Sequence, residues 1–139
     1  GAYTRCAYES QLVDSNFHFV LNMKTGNVTR RESEILIGKC NWIGNRTSIT
    51  KGSKTKDFSI ICAGSLMNKD YTQNEENFIM LGGSPAKVLT SGLKRIFSTE
   101  IEKDIIYFFN NNPKANNYNL TSELSDDFKD IHYWFEHMM

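Results

Sequence analysis

The sequence predicts an all-β solenoid with a C-terminal helical extension, and three observations predict it. Cut in sixes, residues 37–72 read IGKCNW, IGNRTS, ITKGSK, TKDFSI, ICAGSL and MNKDYT. The first column is Ile37, Ile43, Ile49, Thr55, Ile61 and Met67, five apolar residues and one small β-branched one. The fifth column is Asn41, Thr47, Ser53, Ser59, Ser65 and Tyr71, five of them short and polar. A helix repeats every 3.6 residues and a strand every 2, so neither keeps columns at six over such a length. Three hexads closing one triangular coil do.

In that coil Ile37 stacks over Thr55, Ile43 over Ile61 and Ile49 over Met67. The fifth column is small because the chain bends inward there. Gly38 and Gly44, second in their hexads, suit backbone that tolerates little Cβ or needs unusual dihedrals. Coils of this kind contact only their neighbours and need further stacking to be stable. Residues 1–21, with apolar Cys6, Leu12, Val13, Phe17, Phe19, Val20 and Leu21, are expected to supply one more irregular coil. Residues 22–34 are polar, carry the turn signal Lys24-Thr25-Gly26-Asn27, and are expected to form a protruding loop.

Downstream, residues 78–81 read as a last strand and Gly82-Gly83-Ser84-Pro85 as a tight turn. The solenoid domain is thus expected over residues 1–97 and the helical extension over 98–139. Ser98 is a suitable N-cap for a helix over 99–109, with Glu100 and Glu102 in the first turn and Ile101, Ile105, Phe108 and Phe109 on one face. A second helix is expected from Ser122 or Ser125 to 138, with the stripe Phe128, Ile131, Trp134, Phe135 and Met138.

Composition excludes several classes. There are 16 basic and 16 acidic residues, distributed as 13 and 8 through residue 97 and 3 and 8 afterwards. No basic, aromatic-interleaved patch of the kind that grips nucleic acid is present, and no apolar run approaches the ~18 residues of a membrane span, so neither nucleic acid nor membrane insertion is expected. Cys6, Cys40 and Cys62 are odd in number without CxxC spacing, which fits reduced thiols in a cytoplasmic protein. The start at Gly1 reads as an N-terminal truncation.

Three segments, in order, resemble the hexapeptide-repeat acyltransferases, and most of all their galactoside, maltose and polysaccharide O-acetyltransferase branch. They are Asp14-Ser15-Asn16-Phe17-His18, Ile37-Gly38-Lys39-Cys40-Asn41-Trp42-Ile43-Gly44-Asn45, and Gly82-Gly83-Ser84-Pro85-Ala86-Lys87-Val88. Ala63-Gly64-Ser65 and Asn68-Lys69-Asp70 lie between the last two and match further elements. The resemblance implies a left-handed parallel β-helix, a homotrimer, acetyl-CoA as donor substrate, no metal, and a sugar or polysaccharide precursor as acceptor.

The resemblance also places the chemistry. Acyl transfer to a hydroxyl needs a base that works near neutrality, which imidazole does. His18 matches the family's catalytic position between subunits, and Asp14 is a candidate to orient its ring. Asn45, Ala63, Asn68, Lys69 and Lys87 match positions that contact the cofactor, Lys87 at its phosphate end. Relatives commonly have Pro after the catalytic His, where this chain has Phe19. The basic residue expected three positions after Lys87 is Thr90, which leaves Lys94 or Arg95 to substitute. Trp42 matches a family aromatic on the outer face of a coil, where a structural role is favoured over a cofactor contact. A catalytically silent trimeric module with an assembly role is the competing expectation. A γ-type carbonic anhydrase is excluded, since it needs three His on one zinc and only His18 lies in the repeat domain.

Overall fold

A computed structural model describes residues 1–120. The expected second helix and its aromatic stripe lie outside the described residues. The chain divides into two compact units, Gly1–Arg95 and Ile96–Met139. The described residues are mostly β with parallel pairing, plus one helix.

The strands of the first unit are short: β1 (Arg5–Cys6), β2 (Gln11–Val13), β3 (Val20–Leu21), β4 (Val28–Thr29), β5 (Trp42–Ile43), β6 (Ser48–Thr50), β7 (Ile60–Ile61), β8 (Leu66–Met67), β9 (Met80–Gly83) and β10 (Ala86–Thr90). They assemble into stacks of non-consecutive neighbours. The first stack runs β1, β5, β7 and β9, all parallel, and β10 closes it as an antiparallel hairpin partner of β9. The second runs β2, β6 and β8, again parallel. A third line of single bridges joins Leu36, Lys54 and Asp70. Ile43 opposes Ile61, Ile49 opposes Met67, and Leu36 opposes Lys54, an offset of 18 residues each time. Three hexads therefore make one circuit of the chain, with the expected partners opposed.

Both columns point inward. Ile43, Ile49, Ile61 and Met67 are almost fully buried and form the core with Tyr71, Ile79, Leu81 and Ala86. The fifth column is buried too, and its hydroxyls explain how a polar residue belongs there. Thr47, Ser53, Ser59 and Ser65 each donate to the carbonyl three residues earlier, at 2.8, 2.7, 2.8 and 2.6 Å. Asn41 donates instead to the Lys39 and Lys56 carbonyls, at 3.1 and 3.0 Å. Each bond satisfies a buried side-chain donor and ties it to a carbonyl of the adjoining bend. The residue just before each of these has positive φ: Cys40, Arg46, Gly52, Phe58 and Gly64, again six apart. Gly38 and Gly44 serve the other purpose offered for them, close approach. A Cβ on Gly38 would stand 2.5 Å from the Lys56 carbonyl carbon, and one on Gly44 2.5 Å from the Ala63 nitrogen.

The N-terminal coil, expected over residues 1–21, ends its stacked strands at Val13. Arg5 opposes Trp42 and Gln11 opposes Ser48, an offset of 37, which is 19 more than in the following circuits. The extra residues form an antiparallel arm rather than a coil and a loop. In it Val20 opposes Thr29 and Leu21 opposes Val28. The predicted turn closes the arm: the Asn22 side chain accepts from the Lys24 and Thr25 amides at 2.9 and 3.2 Å, and Gly26 has φ +76°. Phe17, Phe19, Val20 and Leu21, expected in a coil, stand exposed on this arm. Alternating apolar residues look the same in a coil and a hairpin, and here cross-strand pairing decides.

The period also breaks after Met67. Lys54 opposes Asp70, an offset of 16, and Ile60 opposes Met80, an offset of 20. The chain takes this bend two residues early, so Tyr71 enters the core instead of a bend and donates its hydroxyl to the Ala86 carbonyl at 3.0 Å. Asp70 secures the shortened bend by accepting from both the Thr72 amide, at 2.8 Å, and the Thr72 hydroxyl. These two bonds hold its carboxyl below the usual carboxylate range. The strand expected over 78–81 runs from Met80 to Gly83 instead, and it is not the last: the turn after it leads into β10.

In the second unit α1 spans Thr99–Asn111. Ser98 caps it, its hydroxyl accepting from the Ile101 amide at 3.1 Å.

Two outcomes follow for thermal and urea unfolding of the chain. Gly44→Ala forces backbone apart and is expected to cost about 3 kcal/mol, whereas Gly26→Ala, left-handed but in open space, costs about 1 kcal/mol. Asp70, with its folded pKa depressed, contributes stability above its unfolded pKa that is lost as pH falls through the lower folded value. Thr72→Val should raise the Asp70 pKa in a carbon-13 titration and flatten the acid-side loss of stability, and an unchanged titration would contradict this account.

Candidate active site

His18 stands near the root of the arm, and its backbone is held by local bonds. Its amide donates to the Asn16 carbonyl at 2.7 Å, closing a γ-turn centred on Phe17, whose φ is +61°. This is the rarer and more strained hand of that turn. The Ser15 hydroxyl accepts from the Phe17 amide at 3.0 Å. The returning limb anchors the approach: Asn16 donates to the Arg31 carbonyl at 2.8 Å and Ser33 to the Asp14 carbonyl at 3.0 Å. The turn thus projects an exposed imidazole off the stacked strands. Asp14 contributes its carbonyl to the arm, and no hydrogen bond joins its carboxylate to His18 within the chain.

The five residues expected to contact the donor fall on two different corners. Between the first and second stacks the Tyr8 carbonyl accepts from the Arg46 amide at 3.1 Å and the Asn45 carbonyl from the Gly64 amide at 2.9 Å. Tyr8, Asn45 and Ala63 therefore follow one another along this corner. Ala63 and Gly64 leave it exposed and nearly free of side chain. Lys87 opposes Gly82 at its end, with an exposed side chain. Asn68 and Lys69 lie at the corner between the second stack and the bridge line, where the Lys69 carbonyl accepts from the Lys54 amide at 3.2 Å. The Lys69 ammonium sits 5.5 Å from the centre of the Tyr71 ring. The arm bearing His18 leaves after β2 and returns before Leu36, from this same corner. One chain thus brings His18 to the corner of Asn68 and Lys69, and sets Asn45, Ala63 and Lys87 on another.

The two cations offered as substitutes for position 90 are placed over aromatic rings. Lys94 lies 5.4 Å from the centre of the Phe58 ring and Arg95 5.3 Å from that of Trp42. An open groove of about 480 Å³ beside Phe58 and Phe78 contains none of the candidate residues. Cys6, Cys40 and Cys62 are free thiols, and burial pushes the Cys40 thiol up, so it stays protonated and unreactive. Among the described residues no three His, Cys, Asp or Glu side chains cluster as metal ligands, and no helix is long and apolar enough to cross a membrane. Arg31 was not singled out in the sequence. Its partners across the arm, Asn16, Phe17 and Phe19, lie 12 to 15 positions away, and the pairing of β3 with β4 brings them to it.

No protein-family model matches the chain, and no curated protein does. Solved structures do. The polySia-specific acetyltransferase NeuO matches with a TM-score of 0.57 and 23% identity, over 66% of this chain and 40% of its own. The polysialic acid O-acetyltransferase OatWY matches with a TM-score of 0.57 and 20% identity, over 76% of this chain and 51% of its own. A hexapeptide-repeat-containing acetyltransferase from Vibrio cholerae, complexed with acetyl coenzyme A, matches with a TM-score of 0.46 and 24% identity, over 59% and 42%. The chain thus spans about half or less of the length of each. The fold it adopts is the one that the acetyltransferases NeuO and OatWY share with it.

Proposed function

We propose that the chain is an acetyl-CoA-dependent O-acetyltransferase acting on a sugar or polysaccharide precursor. Residues 1–97 form its left-handed parallel β-helix domain, and the C-terminal extension begins at residue 98. The observation that carries this reading is the exposed His18 on a constrained turn, in a fold shared with a polySia-specific acetyltransferase and a polysialic acid O-acetyltransferase. The His18 imidazole accepts the proton of an acceptor hydroxyl as that oxygen attacks the thioester carbonyl. The carbon–sulfur bond then breaks, the ester remains on the acceptor, and the imidazolium returns the proton to the departing thiolate. Asp14, at the root of the arm, is the proposed carboxylate partner of the imidazolium.

The division of the candidates between two corners supports a homotrimer as the working unit. The smooth corner of Asn45 and Ala63 offers backbone along which an extended pantetheine arm can lie, with the Lys87 ammonium at its phosphate end. Asn68, Lys69 and His18 occupy a corner that a neighbouring copy would bring to that groove. Three free thiols agree with a cytoplasmic setting. The exposed apolar side chains of the arm, Phe17, Phe19, Val20 and Met23 among them, favour a second reading, a catalytically silent module with an assembly role.

Calorimetric titration with acetyl-CoA and free CoA, with mass in solution from light scattering on the same sample, separates the two readings. Micromolar binding to a trimer is expected; a trimer that binds neither at millimolar concentration would leave the silent module. With a sugar acceptor, His18→Ala should lower thiol release about 10²- to 10⁴-fold. Full release by His18→Ala would remove the base from this mechanism.

A further inference from the structure

The turn that carries His18 lacks the usual means of stiffening. The next residue is Phe19, with no ring closing onto its backbone to fix φ, and every residue from 16 to 30 is exposed, so no core packs against the turn. Yet Phe17 holds a left-handed conformation that an aromatic residue adopts only under constraint. Among the described residues, Arg31 meets this segment from across the arm. Arg31 accepts the Asn16 amide at its carbonyl, at 2.8 Å. Its Nη1 reaches the Phe17 carbonyl at 3.5 Å, and its guanidinium carbon lies 5.1 Å from the centre of the Phe19 ring. Its Nε donates to Glu32 at 2.8 Å, which fixes the plane of the fork.

We propose that Arg31 is the positioning residue for His18. Its backbone holds the residue that opens the γ-turn, its guanidinium holds the central residue, and the same group holds the residue after the imidazole. The inference rests on the reading of His18 as the base, since Arg31 acts on the reaction only through it. A planar fork is required. Lysine can keep a cation over Phe19 but cannot meet Glu32 and the Phe17 carbonyl from one rigid group.

Two measurements on the full chain test this. In Arg31→Gln, the strong intraresidue amide–Hα NOE of Phe17, the mark of a positive φ, should weaken to an averaged value; an unchanged Phe17 overturns the proposal, whatever the activity. In thiol-release kinetics, Arg31→Gln should lower kcat about tenfold with the KM for acetyl-CoA within twofold, and Arg31→Lys should recover only part of the loss. In a His18→Ala background, Arg31→Gln should cause no further loss, since a residue acting through His18 has nothing left to position. An equal loss in both backgrounds overturns the proposal. A fully active His18→Ala counts against the base instead, and the Phe17 conformation still decides whether Arg31 holds the turn. Should Arg31→Gln unfold, Phe19→Leu removes the ring alone and is expected to give a smaller shift in the same direction. No shift in Phe19→Leu would then overturn the proposal.

Discussion

Four successive bends of the first unit turn on one short bond that repeats along the chain. The hydroxyl of a Ser or Thr folds back onto the carbonyl three residues earlier, at Thr47, Ser53, Ser59 and Ser65. The residue before it takes a left-handed φ that swings the next strand into a new direction. The same four carbonyls each accept a second donor, from the Ser10 hydroxyl, the Ser53 amide, the Asn41 side chain and the Thr47 hydroxyl, so what the repeated bond satisfies is the buried hydroxyl itself, which left unmade would cost roughly 1 to 3 kcal/mol. With it, strands of two or three residues suffice, because each is held from above and below and the bend between them is fixed. Short strands in turn leave one inward residue per side, which is why the core is a set of single columns.

Those columns are the part of the fold legible in the sequence. A column of six-spaced Ile is visible because burial tolerates nothing polar there, and a column of Ser and Thr is visible because the bend tolerates nothing large. Cys40, Arg46 and Phe58 hide the left-handed positions, since side chains that rarely adopt that conformation occupy them and the bend imposes it. The two breaks in register were hidden for another reason. Tyr71 continues the numerical column while its backbone has already shifted by two, and only pairing with Lys54 reveals the shift.

The candidate site was legible as identities but not as an arrangement. His18, Asn45, Ala63, Asn68, Lys69 and Lys87 were found by their neighbours in sequence, which carry no information about which corner each occupies. Circuits of 18 residues place Asn45 and Ala63 in line, a relation the spacing alone gives. The early bend after Met67 and the 19-residue arm decide where Asn68, Lys69 and His18 stand, and both are departures from the period. Arg31 illustrates the same limit, since its contacts with Phe17 and Phe19 exist only after the arm has paired.

The arm leaves one circuit and rejoins the next without disturbing either. Gln11 still opposes Ser48, and Ser48 still opposes Leu66, as though the intervening residues were absent. The stacked strands therefore behave as a chassis with a socket at one corner. Selection can lengthen, shorten or exchange what is plugged into that socket while the columns beneath it remain untouched. Reactivity and foldability then draw on separate stretches of sequence, and a lineage can explore one without gambling the other.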